Sequence, residues 1–127
     1  MKRILVVEDD DMTRSFLEIL LGSEGYSVRL AAHPGQAVTQ LVDFDPDLIL
    51  MDIQLPEIGG LELTRRIKSD PMKRHIPVVA MTAFGEDYHK ESAINAGCAD
   101  YITKPFRAQA LLAVIAANLA GKEQTAV

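Results

Sequence analysis

Five short aliphatic runs divide this chain: RILVV (3–7), SVRLA (27–31), DLILMD (47–52), PVVAMT (77–82) and DYIT (100–103). Three of them lack the polar alternation of a strand with one wet face, so both of their faces must be covered. Each run is followed by a segment with helical spacing, and strict strand–helix alternation builds a parallel sheet sandwiched by helices. The expected fold class is therefore α/β, a doubly wound parallel sheet of five strands.

The helical segments carry their own punctuation. Met12, Phe16, Ile19 and Leu20 recur at helix spacing, with Asp11 expected as N-cap and Gly25 as the stop. Pro34 suits the first turn of the second helix. Three more helices are expected over 60–69, 86–96 and 107–119, the last an Ala/Leu-rich stretch closing at Gly121. Residues 1–121 then form one domain and 122–127 a short polar tail, with neither an internal linker nor a low-complexity block. A first strand close to Met1 and a tail that ends without a linker favour a freestanding protein over an excised domain.

Composition removes several functional classes. The length of 127 residues fits a single core. Apolar residues make up 48 % of the chain without a run of membrane-spanning length, and the start lacks a secretory leader, so a cytoplasmic, membrane-independent protein is expected. A net charge of −5 and no Lys/Arg run longer than two argue against direct nucleic-acid binding. The single cysteine, Cys98, reads as a packed small residue. His33, His75 and His89 show no metal spacing and are expected at the surface, and Met72 and Met81 as loop or core filling.

In an open parallel sheet, function gathers beyond the carboxyl ends of the strands, near the point where strand order reverses. Strand one runs into Glu8, Asp9 and Asp10, strand three ends at Asp52, strand four at Thr82, and strand five is followed by Lys104 and Pro105. With strand order 2-1-3-4-5 the acids of strands one and three meet, and Thr82 and Lys104 arrive from the other side. Two carboxylates ~5 Å apart repel by about 3 kcal/mol at an effective dielectric near 20, so the cluster calls for a cation or shifted pKa values. Oxygen ligands without convergent Cys or His select Mg²⁺, or Mn²⁺, over zinc. Such a site can take a phosphoryl group, its charge met by the ion, Lys104 and the Thr82 hydroxyl, with Asp52 as nucleophile.

The stretches ILVVEDD, PDLILMDIQLPEIGGLEL, IPVVAMTAF and GCADYITKPF together resemble the receiver domain of bacterial two-component response regulators, over nearly all of residues 2–120. The length and architecture are CheY-like, which implies the flavodoxin-like (βα)5 fold, and two of the stretches also resemble stand-alone DivK-like regulators and the receivers of hybrid kinases. The resemblance implies that Asp52 accepts a phosphoryl group from a sensor histidine kinase or a histidine phosphotransfer protein. It assigns Asp9, Asp52 and the Gln54 main-chain carbonyl to Mg²⁺, Glu8 to a metal-bound water, and Lys104 to phosphate through a cis bond to Pro105. Thr82 and Tyr101 would be the switch residues. They would repack the face made by helix four, strand five and helix five, which a downstream protein effector reads.

Other readings fit these residues less well. Asp10 and Asp11 read as solvated or capping acids, and Tyr101 taken alone as a packed strand aromatic. A haloacid-dehalogenase-type phosphatase needs a second acid two residues after its nucleophile, where this chain has Gln54. A flavodoxin-like carrier would place a phosphate-binding loop after strand one, and a P-loop enzyme would need its Gly/Lys signature. A receiver-shaped scaffold that is never phosphorylated is the strongest non-catalytic rival. Three departures from the family pattern stand out: Gly59 where an Asp commonly caps helix three, Arg107 at a helix start where the dipole disfavours it, and Phe84 two residues after Thr82. Phe84 offers no group to align a hydrolytic water, so slow loss of the phosphoryl group is expected.

Overall fold

Register explains why the central strands are apolar throughout. In this computed structural model, which describes residues 1–83 and 87–125, β1 (Arg3–Val7), β2 (Ser27–Ala31), β3 (Leu48–Asp52), β4 (Val78–Ala83) and β5 (Asp100–Lys104) form one parallel sheet in the order β2-β1-β3-β4-β5. All five residues of β3 are buried, because side chains of alternating sense meet covered faces on both sides. Leu5, Val7, Ile49, Met51, Val78 and Ala80 belong to one core cluster. Ile4, Val6, Leu48, Leu50, Val79 and Met81 belong to the other.

Helices α2 (Pro34–Asp43), α3 (Gly59–Ser69) and α4 (Asp87–Ala96) contribute to the first cluster, and α1 (Asp11–Ser23) and α5 (Ala108–Thr125) to the second. The expected fold class, five-strand order and element sequence are thus what the chain adopts. Among the described residues no helix is long and apolar enough to cross a membrane.

Helix α1 departs from expectation twice. Its N-cap is Asp10, not Asp11: the Asp10 side chain accepts from the Thr13 N–H at 2.8 Å. Its buried residues are Leu17 and Leu21, with Leu20 packed partly against the core, whereas Met12, Phe16 and Ile19 are 83 %, 45 % and 72 % exposed. The helix is apolar on more than one flank, so spacing alone selected the wrong one. Gly25, with φ of 89°, follows the helix end as expected and takes a conformation closed to most residues.

Helix three also starts differently. Ile58 stands at its N-cap without a side-chain bond, and Gly59, read from sequence as a cap, is the first helical residue, at φ of 76°. Helix α5 continues through Gly121 to Thr125, so the tail expected over 122–127 begins as helix. A lone glycine costs about 1 kcal/mol in a helix and does not stop one that continues with good helix formers.

His33 is half-buried rather than a plain surface residue, and its Nδ1 accepts from the Gln36 N–H to cap α2. His75 is exposed, Met72 is an exposed loop residue, and Met81 is core. Cys98 is packed, and burial pushes its thiol pKa up. Phe84 lies outside the described residues, as does the side chain of His89.

Candidate functional site

Each strand delivers its terminal residue to the same edge of the sheet. Val7 pairs with Met51 and Asp52 with Met81, while Thr82 pairs with Thr103 and Ala83 with Lys104. Glu8 and Asp9 therefore leave β1 beside the Asp52 end of β3, and Lys104 leaves β5 two strands away. The Glu8 N–H is still bonded to the Ala31 carbonyl, which fixes the start of the acidic loop to the sheet.

The acids converge. One carboxylate oxygen from each of Glu8, Asp9 and Asp52 lies within 4.8 Å of the others. Glu8 and Asp52 are only 1 % and 4 % exposed, whereas Asp9 reaches solvent. Lys104 crosses to them, its Nζ 2.7 Å from Glu8 Oε1 and 3.3 Å from Asp52 Oδ2. The other Asp52 oxygen accepts from the Gln54 N–H at 2.9 Å, and the second Glu8 oxygen accepts from the Asp10 N–H at 3.0 Å.

One ammonium does not balance this charge. Burial, reinforced by the Glu8 carboxylate, pushes the Asp52 pKa up to about 6, against the opposing Gln54 N–H and Lys104. Burial alone would lower the Lys104 pKa, but its bond to Glu8 and the charges of Asp52 and Glu8 raise it. A hard divalent cation fits this all-oxygen donor set, since it replaces proton uptake as the means of tolerating the clustered charge.

Thr82 and Pro105 stand at the same end of the sheet, Gln54 follows Asp52, and Tyr101 lies near the start of β5. Thr82 is buried near the end of β4. The Lys104–Pro105 peptide is cis. Tyr101 is half-buried against the first core cluster, with the Lys90 ammonium 5.3 Å from its ring centre. Gln54 is exposed and lines, with Met12, Phe16, Lys104 and Phe106, a cavity of about 530 Å³.

Two supporting residues escaped the sequence reading. Gly60 is buried, and a Cβ there would lie 2.1 Å from the Asp52 carbonyl oxygen, so only glycine lets α3 start against the end of β3. The signal is the Gly59-Gly60 pair, of which only Gly60 is closely approached by β3. Arg14 reaches back from α1 to the acidic loop, donating to the Glu8 carbonyl at 3.0 Å; a cation one turn after four consecutive acids was the available clue.

The comparisons with known proteins agree with this geometry. The family model of the response regulator receiver domain matches residues 4–116. The chain is 40 % identical over 104 residues to the polar-differentiation response regulator DivK of Brucella anthropi, covering 82 % of this chain and 85 % of that protein. It is 41 % identical over 118 residues to the phosphate regulon transcriptional regulatory protein PhoB of Pseudomonas aeruginosa, covering 93 % of this chain but only 52 % of PhoB. The chain thus spans about half of PhoB's length.

Among solved structures, a CheY-like receiver domain protein from Methanospirillum hungatei superposes with a TM-score of 0.90 at 30 % identity, over 98 % of both chains. The receiver domain of the sensor histidine kinase PA1611 from Pseudomonas aeruginosa, which holds a magnesium ion in its active-site cleft, gives 0.85 at 34 % identity over 94 % of this chain and 98 % of that one. An acidic pocket at the carboxyl edge of a β2-β1-β3-β4-β5 sheet, together with these matches, makes this chain a member of the response regulator receiver domain family of two-component signalling.

Proposed function

We propose that Asp52 is a phosphoacceptor, taking a phosphoryl group from a phosphohistidine of a sensor kinase or phosphotransfer protein. The observation that carries this is the buried Asp52 carboxylate itself, flanked by Glu8, Asp9 and Lys104 at the sheet edge. In the reaction an Asp52 oxygen attacks phosphorus, the P–N bond to the donor imidazole breaks, and the electron pair remains on that nitrogen. The product is an acyl phosphate on Asp52.

Asp9, Asp52 and the Gln54 carbonyl would hold Mg²⁺ (or Mn²⁺), with Glu8 engaging a metal-bound water; the magnesium in the PA1611 receiver supports this assignment. Bound there, the ion supplies positive charge against the phosphoryl oxygens. Lys104 supplies the same from the opposite side, and its present contacts with Glu8 and Asp52 put it within reach. The Thr82 hydroxyl donates to a third oxygen.

Phosphorylation shifts a population only if the phosphoryl group binds one arrangement better than the other, and Thr82 and Lys104 provide that difference. A coupling of about 1–3 kcal/mol suffices. Tyr101, held between its core contacts and Lys90, is the side chain whose repacking would carry the change to the α4–β5–α5 face, where a protein effector binds. The receiver unit would comprise residues 1–121, with α5 running on beyond it to Thr125.

Incubation with acetyl phosphate and Mg²⁺, followed by intact-mass measurement, tests the assignment. The native chain gains one phosphoryl group and Asp52→Asn gains none. Equal labelling of both would transfer the role to another residue.

A further inference from the structure

We propose that Arg14 is a positioning residue that sets the geometry of the divalent-cation cage through the main chain of the acidic loop. The inference rests on the reading of Glu8, Asp9 and Asp52 as that cage.

Four consecutive carboxylates, Glu8 to Asp11, occupy the turn from β1 into α1. Left to itself such a turn would splay. Two devices hold it. The Asp10 side chain accepts from both the N–H and the hydroxyl of Thr13, at 2.8 and 2.7 Å, which anchors the helix start. Arg14 anchors the segment before it: its Nη1 donates to the Glu8 carbonyl at 3.0 Å and to the Asp9 carbonyl at 3.3 Å, while its Nη2 is bound by the Asp11 carboxylate. Arg14 is itself mostly buried, with 20 % of its side chain exposed.

The choice of atoms matters. Arg14 grips the peptide carbonyls of the two first-strand acids and spends its other nitrogen on Asp11, so their main-chain orientation is fixed without the guanidinium occupying their side-chain oxygens. A guanidinium does this with a planar fork; a lysine, a single flexible point charge, does not. Its charge acts the other way, since a fixed cation near a metal cage weakens metal binding by Coulomb repulsion. Positioning and charge therefore predict different results for Arg14→Lys and opposite ones for Arg14→Met.

The test compares Mg²⁺ titration by calorimetry for the native chain, Arg14→Lys, Arg14→Met and Asp11→Asn, with amide hydrogen exchange of the metal-free proteins. Positioning predicts that Arg14→Lys and Arg14→Met both raise the Mg²⁺ Kd, by about tenfold, and that Asp11→Asn raises it less. It also predicts faster exchange at Asp9 and Asp10 with unchanged exchange in β3. Native-like affinity in Arg14→Lys with tighter binding in Arg14→Met would overturn it in favour of a pure charge effect. Faster exchange throughout β1 and β3 in both Arg14 variants would overturn it in favour of general destabilisation. A native chain that takes up no Mg²⁺ at millimolar concentration would instead overturn the cage reading, and this inference with it.

Discussion

Strand β3 carries an aspartate at each end, and the two live differently. Asp47, just before the strand, is half-buried; its carboxylate accepts from the Arg3 N–H at 2.8 Å, and its own N–H donates to the Arg3 carbonyl at 2.8 Å. It finishes the hydrogen bonding of a strand start. Asp52, at the other end, faces another buried carboxylate and shares one ammonium with it. One strand thus holds a carboxylate that completes a fold and a carboxylate that strains against it. What separates them is not residue type or neighbouring sequence but which strand ends lie opposite.

The contrast can be sharpened from its most disruptive test downward. Gly60→Ala attacks the Asp52 end, where the new methyl would overlap the Asp52 carbonyl; a loss of about 3 kcal/mol in urea unfolding is expected. A loss below about 1 kcal/mol would mean that α3 can retreat from β3 at little cost.

Next comes pH. The folded-state pKa of Asp52, about 6, lies above its ordinary value of 3.8, so the folded protein holds this proton more tightly than the unfolded chain. Its contribution to stability is full below about pH 4 and is lost as pH rises through about 6. Without divalent ions, this group should lower stability by about 1 kcal/mol between pH 5 and pH 8. Asp52→Asn should flatten that slope, as read by urea titrations at both pH values, and an unaltered slope would assign it elsewhere.

The smallest effect belongs to Asp47→Asn, which keeps an acceptor for Arg3. It should change stability by less than about 0.5 kcal/mol and leave acetyl phosphate labelling as in the native chain. Impaired labelling would erase the distinction between the two ends of the strand.

Much of the fold was readable from the residues, for a physical reason: buried parallel strands are unbroken apolar runs, and those runs end where the sheet ends. Strands β1 and β2 have the bounds expected for them, and the other three differ by a residue at one or both ends. The approach of Glu8, Asp9 and Asp52 could be anticipated because strand order brings β1 beside β3. What failed was finer. Helix α1 has apolar residues on two flanks, and only the sheet decides that Leu17 and Leu21 go inside while Met12 and Ile19 stay wet. Four successive acids offer four candidate caps, and Asp10 is selected by its β-region backbone and its reach to Thr13. Gly60 matters through an atom of β3 that no local pattern reveals.

The contact between Lys104 and Glu8 joins residues 96 positions apart. The proposed site residues stand at or just past the ends of four strands, Glu8 and Asp9 after β1, Asp52 on β3, Thr82 on β4 and Lys104 on β5, so a piece of the chain lacking any of these strands would lack part of the proposed centre. On the proposed function, labelling by a small phosphodonor is consequently an assay of tertiary completeness: a molecule that reacts has these strand ends together, and reactivity should vanish with the first unfolding event that separates them.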